Sequence, residues 1–435
     1  MPNPVVIALG RIVQKAAELR GGGSALPGLV VEKLDPHFAA NVLGQLPRGV
    51  VLVSGTNGKT TTVKIVAELL TAAGLNVFTN NTGSNFMRGV ISSLLRKVSL
   101  GGRLDADIAV LELDEAHAVN FVESVAPRYT LLLNVMRDQL DRFGEIDYTA
   151  ELLSVVARKT VDVVVLNRED SRLAAIPERE RLLATVQWFG LAGGLRAEFP
   201  EDDALYDEEP REEPGDETDA AEGAAEAFAD TVLLTGFSDA TATLELDRSV
   251  YEARLALKGI YNAFNATAAL ALVHAIVPET PAALLVDALA GIHSAFGRGE
   301  SLEVDGQPLE LVLVKNPGGF RLALRSYDPT DSATMLAIND DYADGRDMSW
   351  LFDVGFSSLG GTGVAVVSGT RAWDMALRLS YDEVGVGVVQ RDLNAALELL
   401  VAAGAGRPKR IYCTYTAMLA LRKLLAARTE VERIR

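Results

Sequence analysis

The sequence predicts an α/β protein: a mostly parallel, doubly wound sheet built around a phosphate-binding loop, followed by a smaller Rossmann-like set of strands and helices. Three observations carry this. Val50–Val53 is a run of β-formers that leads into Gly55-Thr56-Asn57-Gly58-Lys59-Thr60-Thr61 and then into a helical pattern over 60–73. Short apolar strands alternate with helix-length segments on both sides of residue 300. A domain boundary falls at a polar seam near Glu300–Gly306.

Taken in order, residues 3–20 read as an amphipathic helix stopped by Gly21-Gly22-Gly23-Ser24, with a short arm to about residue 48. A central domain, 49–302, follows. Its expected strands are Val50–Val53, Asn76–Thr79, Ile108–Glu112, Tyr129–Leu133 and Val161–Leu166, with helices between them. From about Leu191 to Asp230 the chain is rich in Glu, Asp, Ala, Gly and Pro and reads as a flexible acidic insertion. The core resumes at Thr231 and includes the alanine-rich helix Asn265–Ile276. The C-terminal domain, 303–435, has strands at Leu309–Val314, Thr334–Ile338, Gly363–Val367, Val384–Val389 and Arg410–Thr414. Its helices are Ala372–Leu379, Leu393–Ala403 and Thr416–Ala427.

Composition excludes several classes. The 435 residues are long enough for about three domains, and no apolar run is long enough to cross a membrane. The first residues lack the basic stretch of a signal peptide. One cysteine, Cys413, excludes an internal disulfide and a cysteine-based metal site. A cytoplasmic protein is expected. The net charge of −18 is mostly local, because Glu198–Asp230 holds fifteen acidic residues and one Arg. No basic stripe points to nucleic acid.

The glycine loop is where chemistry starts. Backbone N–H groups of such a turn point at phosphate oxygens, Lys59 reaches the β/γ-phosphates, and the Thr60 hydroxyl can hold Mg²⁺. Gly55 and Gly58 stand closer together than in the usual P-loop, so this is a variant of it. Glu112, at the carboxyl end of a buried strand, is placed to ligate Mg²⁺. Asp138 and Asp141 lie three apart after another strand. The polar run Thr79-Asn80-Asn81 suits phosphate or Mg²⁺ contact. Asn262 and Asn265 share a helix face and can grip an adenine edge. Arg298, at the seam, can swing onto a nucleotide.

In order and spacing these motifs resemble the Mur ligase superfamily of ATP-dependent acid–amine ligases, over nearly the whole chain outside 191–230. Within it the chain is most similar to the MurT subfamily, the synthetase subunits of lipid II isoglutaminyl synthases. Arg137-Asp138-Gln139-Leu140-Asp141-Arg142 resembles the variant of that subfamily, where the superfamily usually shows Asp-His. So do the runs Val314–Phe320, Asp340–Trp350, Gly369–Leu379 and Tyr412–Met418. The resemblance implies a Mur-ligase-like central P-loop ATPase domain with a Rossmann-like C-terminal domain. Many members carry a four-cysteine zinc ribbon; the acidic stretch takes its place here without cysteine, so no zinc is expected. The phosphate loop begins too early for the UDP-sugar-binding domain of the amino-acid-adding members, so a lipid-linked substrate handle is expected.

The implied reaction is amidation. ATP with Mg²⁺ phosphorylates the α-carboxylate of D-glutamate in the lipid II stem peptide, and ammonia displaces phosphate to give D-isoglutamine. Cys413 lies in a strand pattern away from any His motif, so a separate GatD-like glutaminase subunit is implied as the ammonia source. The resemblance further implies that an acidic residue of this chain orients the partner's catalytic His. Asp353 is the first candidate, ahead of Asp347 and Asp344. Two rival readings stay open: an amino-acid-adding ligase of the same superfamily, and a nucleotide-gated scaffold that recruits partners through its acidic insertion.

Overall fold

The computed structural model describes the chain except residues 1, 20–24, 81–84, 137–145, 200–230, 239, 258, 293–297, 404 and 430–435. Two sheets organise it. The first has nine strands: β1 (Val50–Ser54), β2 (Val77–Thr79), β3 (Ile108–Glu112), β4 (Tyr129–Leu132), β5 (Val163–Asn167), β6 (Thr185–Leu191), β7 (Thr231–Ser238), β8 (Thr241–Leu246) and β9 (Ser249–Arg254). Their order is β2-β3-β1-β4-β5-β6-β7-β8-β9, parallel as far as β7. The chain leaves β1 toward β2 and later crosses back to β4 on its other side. The carboxyl ends of β1, β3 and β4 therefore meet at a topological switch point, where open α/β sheets hold ligands.

The central strands are nearly pure Val, Leu and Ile because both their faces are covered. One face packs against the helices Lys59–Ala72 and Ile260–Ile276; Val53, Val66, Val110 and Leu270 belong to that core. The other packs against Met87–Lys97, Glu115–Val122 and Ile146–Lys159, through Leu52, Leu94, Leu111 and Phe121.

The second sheet has six strands: β10 (Arg298–Val304), β11 (Gln307–Leu313), β12 (Ala333–Ala337), β13 (Val364–Ser368), β14 (Val386–Val389) and β15 (Lys409–Cys413). Their order is β10-β11-β15-β12-β13-β14, all parallel except the edge strand β10. Here β10 runs through the seam expected at 300–306 and pairs with this second sheet. Helices Pro317–Ser326 and Ala372–Tyr381 cover one face, and Leu393–Ala403 and Tyr415–Leu425 the other.

The expected strands of both sheets appear within two residues of their expected ends, the usual fraying of element boundaries. Three regions differ. The arm before residue 48 is two helices, Ala25–Leu34 and Phe38–Leu43. Val31, Phe38 and Val42 bury completely in the core beneath Met87–Lys97, which a loose arm could not do. Five strands, β6, β7, the hairpin β8–β9 and β10, were not read from the sequence. The hairpin turns at Asp247-Arg248, both with positive φ (51° and 62°), so its turn lacks the Asn-Gly signature that flags such loops. Finally, the irregular insertion does not start at Leu191. That residue closes β6, Gly193–Glu198 forms a 3₁₀ turn, and the Phe199 ring packs 4.6 Å from Tyr261 and 5.2 Å from Phe264. Apolar Leu195 and Phe199 anchor this stretch to the core, whereas the acidic run 200–230 lies outside the described residues.

Among the described residues no helix is long and apolar enough to cross a membrane. Phe38→Ala should lower the unfolding free energy by about 3–5 kcal/mol, the cost of emptying a buried aromatic site. Urea denaturation measures it; a change below about 0.5 kcal/mol would be that of an exposed arm.

Candidate active site

The loop between β1 and the helix Lys59–Ala72 takes its shape from two glycines and one asparagine. Gly55 (φ 126°) and Gly58 (φ 90°) lie where L side chains are strained. A Cβ on Gly55 would meet the Asn134 backbone N and O at 2.9 Å, and one on Gly58 would meet Asn265 Oδ1 at 2.6 Å. Asn134, just beyond β4, clamps the loop: its Oδ1 accepts the Asn57 N–H (2.8 Å) and its Nδ2 donates to the Asn57 carbonyl (3.0 Å). The Thr56 hydroxyl accepts the Met136 N–H at 3.1 Å. No side chain caps the helix at Gly58, so its first turn faces the loop as an anion-favouring N-terminus.

Lys59 opens that helix and is only 3% exposed. Its ammonium lies 3.2 Å from Asp114 Oδ1 and 3.5 Å from Glu115 Oε2, and it donates to the carbonyls of Gly55 and Thr56. A buried ammonium needs such partners, because desolvation otherwise drives it neutral. Burial works against ionisation of Asp114, but the Lys59 and Lys315 ammoniums outweigh that and hold its carboxyl below the usual range. Carbonyl and carboxylate oxygens thus surround Lys59 where a polyphosphate would offer its own. The Lys59 ammonium and the uncapped helix N-terminus at Gly58 are the donors that fit a phosphate.

Thr60 donates its hydroxyl to Glu112 Oε1 at 2.9 Å, so the two expected metal ligands touch. The Asn80 side chain fixes Glu112 in place: its Oδ1 accepts the Glu112 N–H and its Nδ2 donates to the Glu112 carbonyl, both at 2.8 Å. The neighbouring Asn81, like Asp138 and Asp141, falls outside the described residues. Thr61 is buried behind the loop. Asn262 and Asn265 are half-buried in the first turns of Ile260–Ile276, and Asn265 overlies Gly58. Arg298 begins β10, its side chain lying outside the description.

The second sheet closes on this loop. Asn57 Nδ2 donates to Asn316 Oδ1 (3.3 Å), and Asn316 Nδ2 donates back to Asn57 Oδ1 (3.1 Å). Asn316 is fully buried, and its Oδ1 also caps the helix Pro317–Ser326 through the Gly319 N–H. Lys315 Nζ reaches the Thr56 carbonyl at 3.5 Å.

Sequence reading placed Asn80 in a run suited to phosphate or Mg²⁺, not as the residue that steadies Glu112, and gave no role to Asn134, Asp114, Glu115 or the Asn57–Asn316 pair. Asn80 and Asn134 share a signal that could have found them: each is a polar residue directly behind a buried strand of the sheet that carries the loop. The partner of Asn57 lies 259 positions away and left none.

Cys413 is buried in β15, and burial, with the Asp344 carboxylate nearby, pushes its thiol up. Asp344 is itself buried and accepts from the Thr416 N–H (2.8 Å) and hydroxyl, so it ties β12's exit to the last helix. Asp347 caps the turn Ser349–Asp353 through the Ser349 N–H (2.9 Å). Asp353 ends that turn, half-buried, beside the exposed Phe352. No group of three His, Cys, Asp or Glu side chains among the described residues is arranged to hold a metal ion.

The family model of the Mur ligase middle domain matches residues 53–273. The chain belongs to the Mur ligase family. A second model, MurT ligase C-terminal, matches 313–418 of this Mur ligase. Relatives of similar length include the lipid II isoglutaminyl synthase (glutamine-hydrolyzing) subunit MurT of Streptococcus pneumoniae, 27% identical over 95% of this chain and 94% of that one. The protein of the same name from Staphylococcus aureus is 26% identical over 90% of each. Among solved structures, MurF from Acinetobacter baumannii covers 92% of this chain and 80% of its own at 19% identity, with a TM-score of 0.66. E. coli FolC, solved with DHPP and ADP, covers 90% and 92% at 16% identity, with a TM-score of 0.59. At those identities the likeness shows the ligase fold.

The Lys59–Asp114 pair has a pH signature. With the folded Asp114 value lowered, the pair's stability is present above about pH 4 and is lost as pH falls through the folded value. Asp114→Asn should flatten the acid limb of the stability curve in denaturant titrations run below about pH 4.

Proposed function

We propose that this Mur ligase is the synthetase subunit of a glutamine-dependent enzyme that amidates lipid II in peptidoglycan synthesis. Its full-length similarity to subunits of that name carries the reading. The caged Lys59 supports the chemistry. An oxygen of the α-carboxylate of D-glutamate in the stem peptide attacks the γ-phosphorus of ATP, and the bond to the bridging oxygen breaks to release ADP. Ammonia then attacks the acyl carbon, phosphate leaves, and the nitrogen loses a proton to give D-isoglutamine.

In this reading Lys59 exchanges Asp114 and Glu115 for phosphate oxygens, and the N–H groups from Gly58 to Thr61 cradle the phosphates, while those of Thr56 and Asn57 hold the loop to Asn134. Thr60 and Glu112 would hold Mg²⁺, which when bound offsets charge on the transferring phosphoryl group. Asn81, Asn262, Asn265 and Arg298 serve the nucleotide. ATP as co-substrate puts the reaction in the cytoplasm, at the face of the membrane that carries the lipid-linked substrate.

Ammonia comes from a GatD-like glutaminase subunit. A buried, proton-retaining Cys413 is unsuited to glutamine hydrolysis, whose nucleophile is a thiolate. An exposed apolar surface that suits a partner lies next to Asp353. Trp373, Leu377 and Tyr381 recur at helical spacing on Ala372–Tyr381, each more than half exposed, and Phe352 packs its ring 6.0 Å from Tyr381. Asp353 at the rim of this stripe orients the partner's catalytic His.

Lys59→Ala should lower amidation at least about 100-fold and, because it leaves Asp114 and the buried Glu115 without that cation, also lower the melting temperature. Unchanged turnover, read as the product mass, would remove the loop from the chemistry. Asp353→Asn, assayed with the partner present, should abolish glutamine-driven amidation and spare ammonium-driven amidation. Equal loss of both would place Asp353 in the synthetase site instead.

A further inference from the structure

Two lysines from different parts of the fold converge on one oxygen. Lys59 Nζ lies 3.4 Å from the Thr56 carbonyl oxygen and Lys315 Nζ lies 3.5 Å from the same atom. Asp114 feels both ammoniums. Like charges this close repel unless anions stand between or beside them. With the chain alone, Asp114 and Glu115 supply that charge around Lys59. When a polyphosphate draws Lys59 to itself, Lys315 is the second cation already aimed at the same spot.

Its aim is fixed from behind. Lys315 follows β11 by two residues and precedes the buried Asn316, which is held by the reciprocal Asn57 pair and by the Gly319 N–H. A lysine on so constrained a backbone is placed by the contact of the second sheet with the phosphate loop.

We propose that Lys315 is a phosphate-contacting residue for the terminal phosphoryl group, supplied by the C-terminal sheet and brought to the loop by the Asn57–Asn316 contact. The inference rests on the ATP-dependent ligase reading above. In the transfer, the carboxylate oxygen–phosphorus bond forms as the bond from the γ-phosphorus to its bridging oxygen breaks. The electron pair departs with ADP and no proton moves. Lys315 offsets charge on the phosphoryl oxygens during that step, so transfer depends on the two sheets being in register across Asn57 and Asn316. ADP lacks the group that Lys315 contacts.

That difference gives the test. Calorimetry on the full chain compares ADP with a non-hydrolysable imido analogue of ATP. Lys315→Met should weaken the analogue at least about tenfold and leave ADP affinity within about threefold, with the melting temperature unchanged; Lys315→Arg should recover most of the loss. Equal weakening of both nucleotides, or of neither, would overturn the assignment. If Lys315→Met does not fold, Lys315→Gln is read by the same criterion. The measurement involves no amidation. A chain that fails to amidate lipid II with ammonium, yet shows the analogue-selective loss, would refute the proposed reaction and keep Lys315. An unaltered chain that binds neither nucleotide would refute both.

Discussion

A buried ammonium governs this structure. Lys59 is closed off from water, and a charge in that position is tolerable only when oxygen atoms surround it. Those oxygens come from three places: the loop carbonyls of Gly55 and Thr56, the end of β3 through Asp114, and the start of the next helix through Glu115. Each has to arrive with sub-ångström accuracy. The parallel core delivers that, because β1, β3 and β4 are held in register by their ladders and buried on both faces. The positive-φ glycines and the Asn134 clamp then bend the loop so that the lysine folds back over it.

The same constraint explains why the site spans two sheets. The loop's Asn57 is matched by an asparagine of the second sheet, and the two amides satisfy each other where neither meets solvent. Such a pair adds modest stability, since a neutral hydrogen bond nets about 1 kcal/mol. Its value is geometric. It fixes where the chain leaving β11 points, and with it Lys315. A ligase of this kind must hold a nucleotide, a carboxylate and a nitrogen nucleophile together, and most of that work is positioning.

Much of this was legible beforehand. The glycine loop was readable because a strand, a tight turn and a helix start must be contiguous in the chain to cradle phosphate. The position of Glu112 beside the loop was readable because it ends a strand of apolar residues, and it accepts the Thr60 hydroxyl. The N-terminal helices were misjudged because Ala25–Leu34 and Phe38–Leu43 are short, contain Gly28 and a break at Asp35-Pro36, and gain their stability from packing against other helices, among them Pro4–Leu19 and Met87–Lys97. The β8–β9 hairpin hid behind a turn of Asp and Arg.

By itself the sequence determined the α/β alternation, the contiguous strand–glycine loop–helix unit and the single cysteine, since each follows from local spacing or from a residue count. Tertiary structure alone decided which carboxylates hold Lys59, that Asn80 rather than a charged group steadies Glu112, and that Lys315 reaches the loop. Those contacts join residues far apart in the chain. Their partners are chosen by strand order and helix packing, which carry no periodic mark in the residues that finally meet.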